Sequence, residues 1–164
     1  MRSAPLGLPL WRAEALIATW FGVGLMPVLP GTWASLAALP IGWILMALGG
    51  PAALAAAAAL LFAIGCWASG RVAAASGLLD PNFIVVDEVA AQWLALLPAP
   101  LDWRAYAVAF IAFRVFDIFK PWPANIIDRR LKGGFGIMLD DVAAAFYAAL
   151  ILVLIGQGVF GVRP

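Results

Sequence analysis

Long apolar runs, separated by short breaks rich in glycine and proline, constrain the fold of this chain more than any other feature. A helix that crosses the hydrocarbon core of a bilayer needs about 20 apolar residues, with a range of about 17–25. Five runs come close to this length, and they cover residues 33–48, 52–69, 84–97, 103–119 and 142–155. The pattern predicts an all-α fold, a polytopic membrane helical bundle of about five spans.

Composition supports this prediction for a single domain. The chain has 164 residues, of which 65% are hydrophobic and 12% charged, whereas soluble domains carry about 25% charged residues. We therefore treat residues 1–164 as one integral membrane domain. Pro40 predicts a kink in the first span, and Gly49, Gly50 and Pro51 predict a tight turn after it.

The distribution of lysine and arginine predicts the orientation, because these residues accumulate on the cytoplasmic side of membrane proteins. With five spans and the N-terminus inside, eight of the ten basic residues fall inside or at the inner boundary, leaving Arg104 and Arg163 outside. The inner group is Arg2, Arg12, Arg71, Arg114, Lys120, Arg129, Arg130 and Lys132. Omitting the short third span would move the group from Lys120 to Lys132 outside, so the charge bias favours five spans with interfacial loops on the cytoplasmic side.

Several classes of function are excluded by what the chain lacks. It has no histidine and one cysteine, Cys66, so histidine-ligated zinc, a Ser-His-Asp triad and an internal disulfide are ruled out. Its net charge of +1 provides no basic field for nucleic acid. The sequence does not distinguish a monomer from a homo-oligomer.

The acidic residues cluster at the predicted inner ends of the spans. Asp87 and Glu88 begin the third span, Asp117 ends the fourth, and Asp140 and Asp141 begin the fifth. An acidic pair at a helix start can simply stabilise the positive end of the helix dipole. It can also supply the oxygen ligands that divalent cations require. Two such pairs on one membrane face favour a functional site.

A second cluster surrounds Asp117. Arg114, Asp117 and Lys120 recur at a spacing of three residues and therefore share a broad helical face. The spacing fits either an intrahelical ladder of salt bridges or a phosphate-binding face with one metal ligand. Pro121 lacks the backbone N–H needed to continue the helix, so the charged face is predicted to end at Lys120.

Two glycine-containing segments precede predicted spans. Residues 22–33 contain Thr32, whose hydroxyl could bind an anion at a helix start or could act as an ordinary N-cap. Residues 133–139 lead into Asp140, and their glycines would allow either close approach to a ligand or a simple turn.

Four segments together resemble the signature segments of the phosphatidylglycerophosphatase A family. They are PVLPGTWASL at 27–36, IVVDEVAAQW at 84–93, FRVFDIFKPWP at 113–123 and GGFGIMLDDVAAA at 133–145. The family commonly has glycine near positions that are alanine here. These departures are Ala34, Ala90, Ala91, Ala144 and Ala145.

The resemblance implies a Mg²⁺-dependent lipid phosphatase of the bacterial cell inner membrane, with its active site facing the cytoplasm. Its expected substrate is the phospholipid phosphatidylglycerophosphate, which it would convert to phosphatidylglycerol. The expected catalytic and metal-binding residues are Asp87, Glu88, Asp117, Asp140 and Asp141, and which of them bind the ion directly is left open. The expected substrate-binding residues are Thr32, Arg114, Lys120 and Arg129.

Two alternatives remain at this point. A CDP-alcohol phosphotransferase requires DGxxAR and GxxxDxxxD blocks; the first is absent, and only Gly136 and Asp140 match the second, because residue 144 is alanine. A cation-binding membrane transporter or channel would need acids at the midplane of several spans. Here the acids are predicted at helix ends.

Overall fold

The structure is a computed structural model that describes residues 7–122 and 124–160, without the side chains of residues 127–129 and 157–159. The described residues form helices and connecting segments, with no β-strand among them. A 3-10 turn covers Val23–Leu25. The helices are α1 Ala13–Ala18, α2 Pro30–Ser76, α3 Val86–Ala95, α4 Trp103–Phe119, α5 Ala124–Arg130 and α6 Gly133–Val159. The prediction of an all-α fold is confirmed.

Helix α2 reverses direction near its middle. Gly50 has φ 65° and ψ −165°, which is non-helical and readily accessible only to glycine. Gly31 near the start of α2 and Asp80 just beyond its end line the same cavity, so the two arms run in opposite directions. The tight turn predicted at residues 49–51 is therefore present. Pro40 lies inside the first arm of α2, where the dihedral angles remain helical, and a kink at this position stays a prediction.

The third and fifth predicted spans differ from the observed helices. Helix α3 has 10 residues, which corresponds to about 15 Å at 1.5 Å per residue. Helix α6 begins at Gly133, nine residues before the predicted start at residue 142. Of the two interpretations of residues 133–139, the simple turn was wrong, because the segment is helical.

The early start of α6 has a packing reason. A Cβ atom on Gly134 would lie 1.8 Å from the carbonyl oxygen of Cys66, and one on Gly65 would lie 2.6 Å from the sulfur of Met138. The glycines thus let α6 approach the second arm of α2 closely. This contact outweighs the low helix propensity of glycine.

Small residues also fill the other helix interfaces. The five alanines at Ala34, Ala90, Ala91, Ala144 and Ala145 are all buried. In the first arm of α2, the Ala38 carbonyl accepts a hydrogen bond of 3.0 Å from the indole N–H of Trp93 in α3. The core therefore depends on close backbone approach more than on large side chains.

Within the part of the chain that the structure describes, two helices are long and apolar enough to cross a membrane: α2, and α6 over Gly133–Gly156. Many large apolar side chains in and around these helices are exposed, among them Leu48, Leu60, Phe146 and Leu154. Water would solvate such a surface poorly, so the exposed apolar area indicates association with a membrane.

We expect Gly134→Ala to destabilise the protein by about 1–3 kcal/mol, because the added methyl group overpacks the contact with Cys66. Gly156→Ala is the matched control, since a Cβ atom there meets nothing within 4 Å. Thermal unfolding of detergent-purified variants measures both. Equal unfolding temperatures for the two variants would contradict the packing argument.

Candidate active site

The ends of several helices meet at a cavity of about 400 Å³. It lies between the start of α2, the α2–α3 loop, the start of α3, the end of α4 and the third turn of α6. Its charged lining residues are Asp80, Asp87, Glu88, Arg114, Asp117, Lys120, Asp140 and Asp141. The structure thus brings together all five acids predicted for the site, with Arg114 and Lys120.

Three of these carboxylates form the closest group. Oxygen atoms of Asp87, Glu88 and Asp141 lie within 4.8 Å of one another. Asp87 Oδ1, Glu88 Oε2 and Asp141 Oδ2 are buried and have no hydrogen-bond partner among the described residues. Buried carboxylate oxygens without partners are costly, so this group has the donor atoms and the electrostatic need for a cation.

Local structure explains how this group is held. Asp87 and Glu88 lie in the first turn of α3, as predicted, where the helix dipole favours negative charge. Asp141 lies two turns inside α6, beyond the turn over which the dipole acts. The dipole therefore does not account for the Asp140–Asp141 pair, and the prediction that this pair begins a helix was wrong.

The two basic residues pair with the remaining acids. One guanidinium nitrogen of Arg114 lies 2.6 Å from Asp117 Oδ2 and 3.8 Å from Glu88 Oε1. The Lys120 ammonium lies 2.5 Å from Asp140 Oδ2. Of the predicted intrahelical salt bridges, Arg114–Asp117 is present, but Lys120 pairs with a residue 20 positions away in another helix.

The backbone at Lys120 turns this side chain toward α6. Lys120 caps the C-terminus of α4 with φ 42°, the left-handed conformation that usually selects glycine. Helix α4 ends at Phe119 and Pro121 follows, as the sequence predicted. A non-glycine residue with this φ is strained, and the partly buried ion pair with Asp140 is a contact that offsets the strain.

Gly31 leaves room for the Glu88 side chain where α2 meets this group. A Cβ atom at position 31 would lie 1.8 Å from Glu88 Oε1. The neighbouring residue Thr32 is half-buried and is not among the residues that line the cavity. The N-cap of α2 is Leu29 and not Thr32, because Pro30 occupies the first helical position, where proline is favoured. Arg129 belongs to α5, but its side chain lies outside the described residues.

Sequence analysis missed Asp80 and Asn82, two exposed residues of the α2–α3 loop that line the cavity. The available signal was Asp80-Pro81-Asn82, a run of turn-forming residues seven positions before Asp87. It marks a loop, but it does not reveal that the loop faces the acids.

The cavity has an excess of negative charge. Among the described lining residues, six acids face two basic side chains. Such a cavity suits a divalent cation together with an anionic group that contacts both the cation and the basic residues. That combination is typical of phosphoryl-transfer sites, where positioning and charge stabilisation supply most of the catalysis.

Fold and cavity together define a class: a membrane-associated, all-helical protein with a carboxylate-rich pocket suited to phosphate chemistry. Within that class, the chain belongs to the phosphatidylglycerophosphatase A family, whose model matches residues 16–156. The family predicted from the four sequence segments is confirmed.

Curated relatives agree with this membership. Phosphatidylglycerophosphatase A of Haemophilus influenzae is 42% identical over 141 residues, which are 85% of this chain and 86% of the relative. The Escherichia coli K12 protein of the same name is 40% identical over 143 residues, 87% and 83% of the two chains. A Bacteroides thetaiotaomicron protein, provisionally named phosphatidylinositol-3-phosphatase, is 40% identical over 154 residues, 89% and 94% of the two chains. No solved structure matches the chain.

We expect Arg114→Met to lower the free energy of unfolding by up to about 3 kcal/mol, since it leaves the largely buried Asp117 carboxylate without its basic partner. Replacing both residues, as Arg114→Met with Asp117→Leu, should restore part of the loss. Thermal unfolding in metal-free detergent buffer measures the effect, with the exposed Arg104→Met as control. A double variant less stable than Arg114→Met would argue against the pair.

Proposed function

We propose that this protein hydrolyses the phosphate monoester of phosphatidylglycerophosphate and so produces phosphatidylglycerol and phosphate. The observation that carries the proposal is the cavity itself, in which three clustered carboxylates face Arg114 and Lys120. Membership of the phosphatidylglycerophosphatase A family supports the choice of substrate.

We further propose that Asp87, Glu88 and Asp141 hold a Mg²⁺ ion. Mg²⁺ prefers oxygen ligands and usually keeps several waters, which suits three carboxylates beside an open cavity. When bound, the ion would polarise the phosphoryl oxygens and lower the pKa of a coordinated water. Asp117 and Asp140 are engaged by Arg114 and Lys120, so we assign them to orient these basic residues.

The residues of the chain then have separate roles. Arg114 and Lys120 bind the phosphate oxygens and stabilise the charge that develops as the ester bond breaks. Their ion pairs with Asp117 and Asp140 hold the two basic side chains in place before the substrate binds. A cavity carboxylate accepts the proton of the attacking water. Neither histidine nor cysteine is required.

The membrane arrangement follows from the helix ends. Because α3 begins and α4 ends at the cavity, the chain between them must leave the cavity and return. We propose that α3 together with residues 96–102 makes one crossing, and that the two arms of α2, α4 and α6 make four more. The basic residues favour the cytoplasmic side of a bacterial inner membrane for the cavity.

A second candidate substrate is a phosphorylated inositol lipid. The Bacteroides relative supports it, since its identity to this chain equals that of the Escherichia coli relative. A transporter or channel is less well supported, because the acidic residues line a cavity at the helix ends instead of following a path between the spans.

We expect the purified protein to release phosphate from phosphatidylglycerophosphate in Mg²⁺ and to lose this activity in EDTA. Restoring Mg²⁺ should restore the rate, because the carboxylates need a cation to bind a phosphate of the same charge sign. Released phosphate is measured in mixed micelles, with phosphorylated phosphatidylinositol as the second substrate. No release with any divalent cation would refute the proposed function.

We expect Asp87→Asn to lower kcat/KM at least about 100-fold, the upper end of the cost of losing an outer-shell partner of a metal site. The matched control is Asp102→Asn. Asparagine can still accept the hydrogen bond from the Arg104 backbone N–H as the N-cap of α4, and this end of α4 is remote from the cavity. Mn²⁺ binding, followed by electron paramagnetic resonance, should weaken in Asp87→Asn alone. Full activity in Asp87→Asn would remove this residue from the site.

A further inference from the structure

Two polar side chains at the cavity have no role in the phosphate chemistry proposed above. Asp80 and Asn82 line the cavity together with the carboxylates, but they are exposed and belong to the α2–α3 loop. Asp80 also lines a smaller adjoining cavity beside Lys132 and Asp140. The two residues therefore occupy the mouth of the cavity, whereas Asp87 and Asp141 lie buried deeper in it.

The loop that carries them is fixed by its neighbours. Pro81, between the two residues, is fully buried, and its carbonyl accepts a hydrogen bond of 2.9 Å from the Ile84 N–H. A Cβ atom on Gly24 would lie 2.1 Å from the carbonyl oxygen of Phe83, so the loop packs directly on the 3-10 turn. Because the backbone of this loop is held in place, Asp80 and Asn82 lose less conformational entropy when they bind a ligand.

Their chemistry suits a hydroxyl group. The Asp80 carboxylate accepts hydrogen bonds, and the Asn82 amide both donates and accepts them. A carboxylate at the mouth would repel a further phosphate group, so these two side chains suit an uncharged hydroxyl. In a polyol headgroup, the carbon next to the phosphorylated carbon carries a hydroxyl. That hydroxyl would enter the mouth when the phosphate occupies the interior between Arg114 and Lys120.

We propose that Asp80 and Asn82 form a hydroxyl-binding subsite that selects lipids whose phosphate sits on a polyol headgroup with a free hydroxyl on the adjacent carbon. The inference rests on the proposed phosphatase function and adds the basis of its selectivity. Phosphatidic acid lacks this hydroxyl, since the adjacent oxygen is acylated, and it should be a poor substrate.

The test compares two short-chain lipids, dihexanoyl phosphatidylglycerophosphate and an analogue with hydrogen in place of the free hydroxyl of the headgroup. We expect the wild-type protein to prefer the hydroxylated lipid by at least about tenfold in kcat/KM, the lower end for a hydrogen bond to a charged group. In the double variant Asp80→Ala with Asn82→Ala this preference should fall toward 1. In the control Asp102→Asn it should stay near tenfold.

A binding measurement separates failure of the subsite from failure of the phosphatase. Calorimetric titration of both lipids, with a divalent cation under which no phosphate is released during the titration, should give the same ratio of affinities. Absence of phosphate release from both lipids would refute the phosphatase, while the affinity ratio would still test the subsite. Equal binding by wild-type protein, or a tenfold preference retained in the double variant, would overturn the subsite.

Discussion

The protein concentrates acidic side chains in one cavity of a fold that is otherwise almost entirely apolar. The ion pairs and backbone conformations around the cavity compensate for this negative charge or make room for it. Two basic residues offset part of it. Arg114 neutralises Asp117 and approaches Glu88, while Lys120 reaches across to Asp140. Partly buried pairs of this kind gain little net stability against their desolvation cost, although removing one partner is expensive. We therefore interpret them as devices that fix the geometry of the site.

The remaining carboxylates set the requirements for the backbone. Gly31 leaves the space that Glu88 occupies, and Lys120 adopts a left-handed conformation at the end of α4. Glycines in α2 and α6 let these helices approach closely enough to bring Asp141 to Asp87 and Glu88. Each feature lowers local helix propensity or adds strain, and each is located where it helps to assemble the cavity.

Sequence reasoning succeeded where the signal was local. Pro121 marked the end of α4, the glycines before Pro51 marked the reversal of α2, and the apolar run after Asp87 marked α3. It failed where tertiary packing decided the outcome. Gly134 is a poor helix former in isolation, but it is helical here, where its backbone packs directly on Cys66 of α2. Asp80 and Asn82 look like ordinary turn residues, and only the tertiary fold brings their loop to the cavity.

The cavity draws its lining from positions 27 to 141, which is most of the chain. During translation, α2, α3 and α4 are synthesised before α6. The ion pair of Lys120 with Asp140, and the contact of Glu88 with Asp141, can therefore form only after α6 has been made. No nascent chain that stops before α6 contains the complete carboxylate group. The carboxylate-lined cavity is consequently completed only when α6 docks against the helices that were synthesised before it.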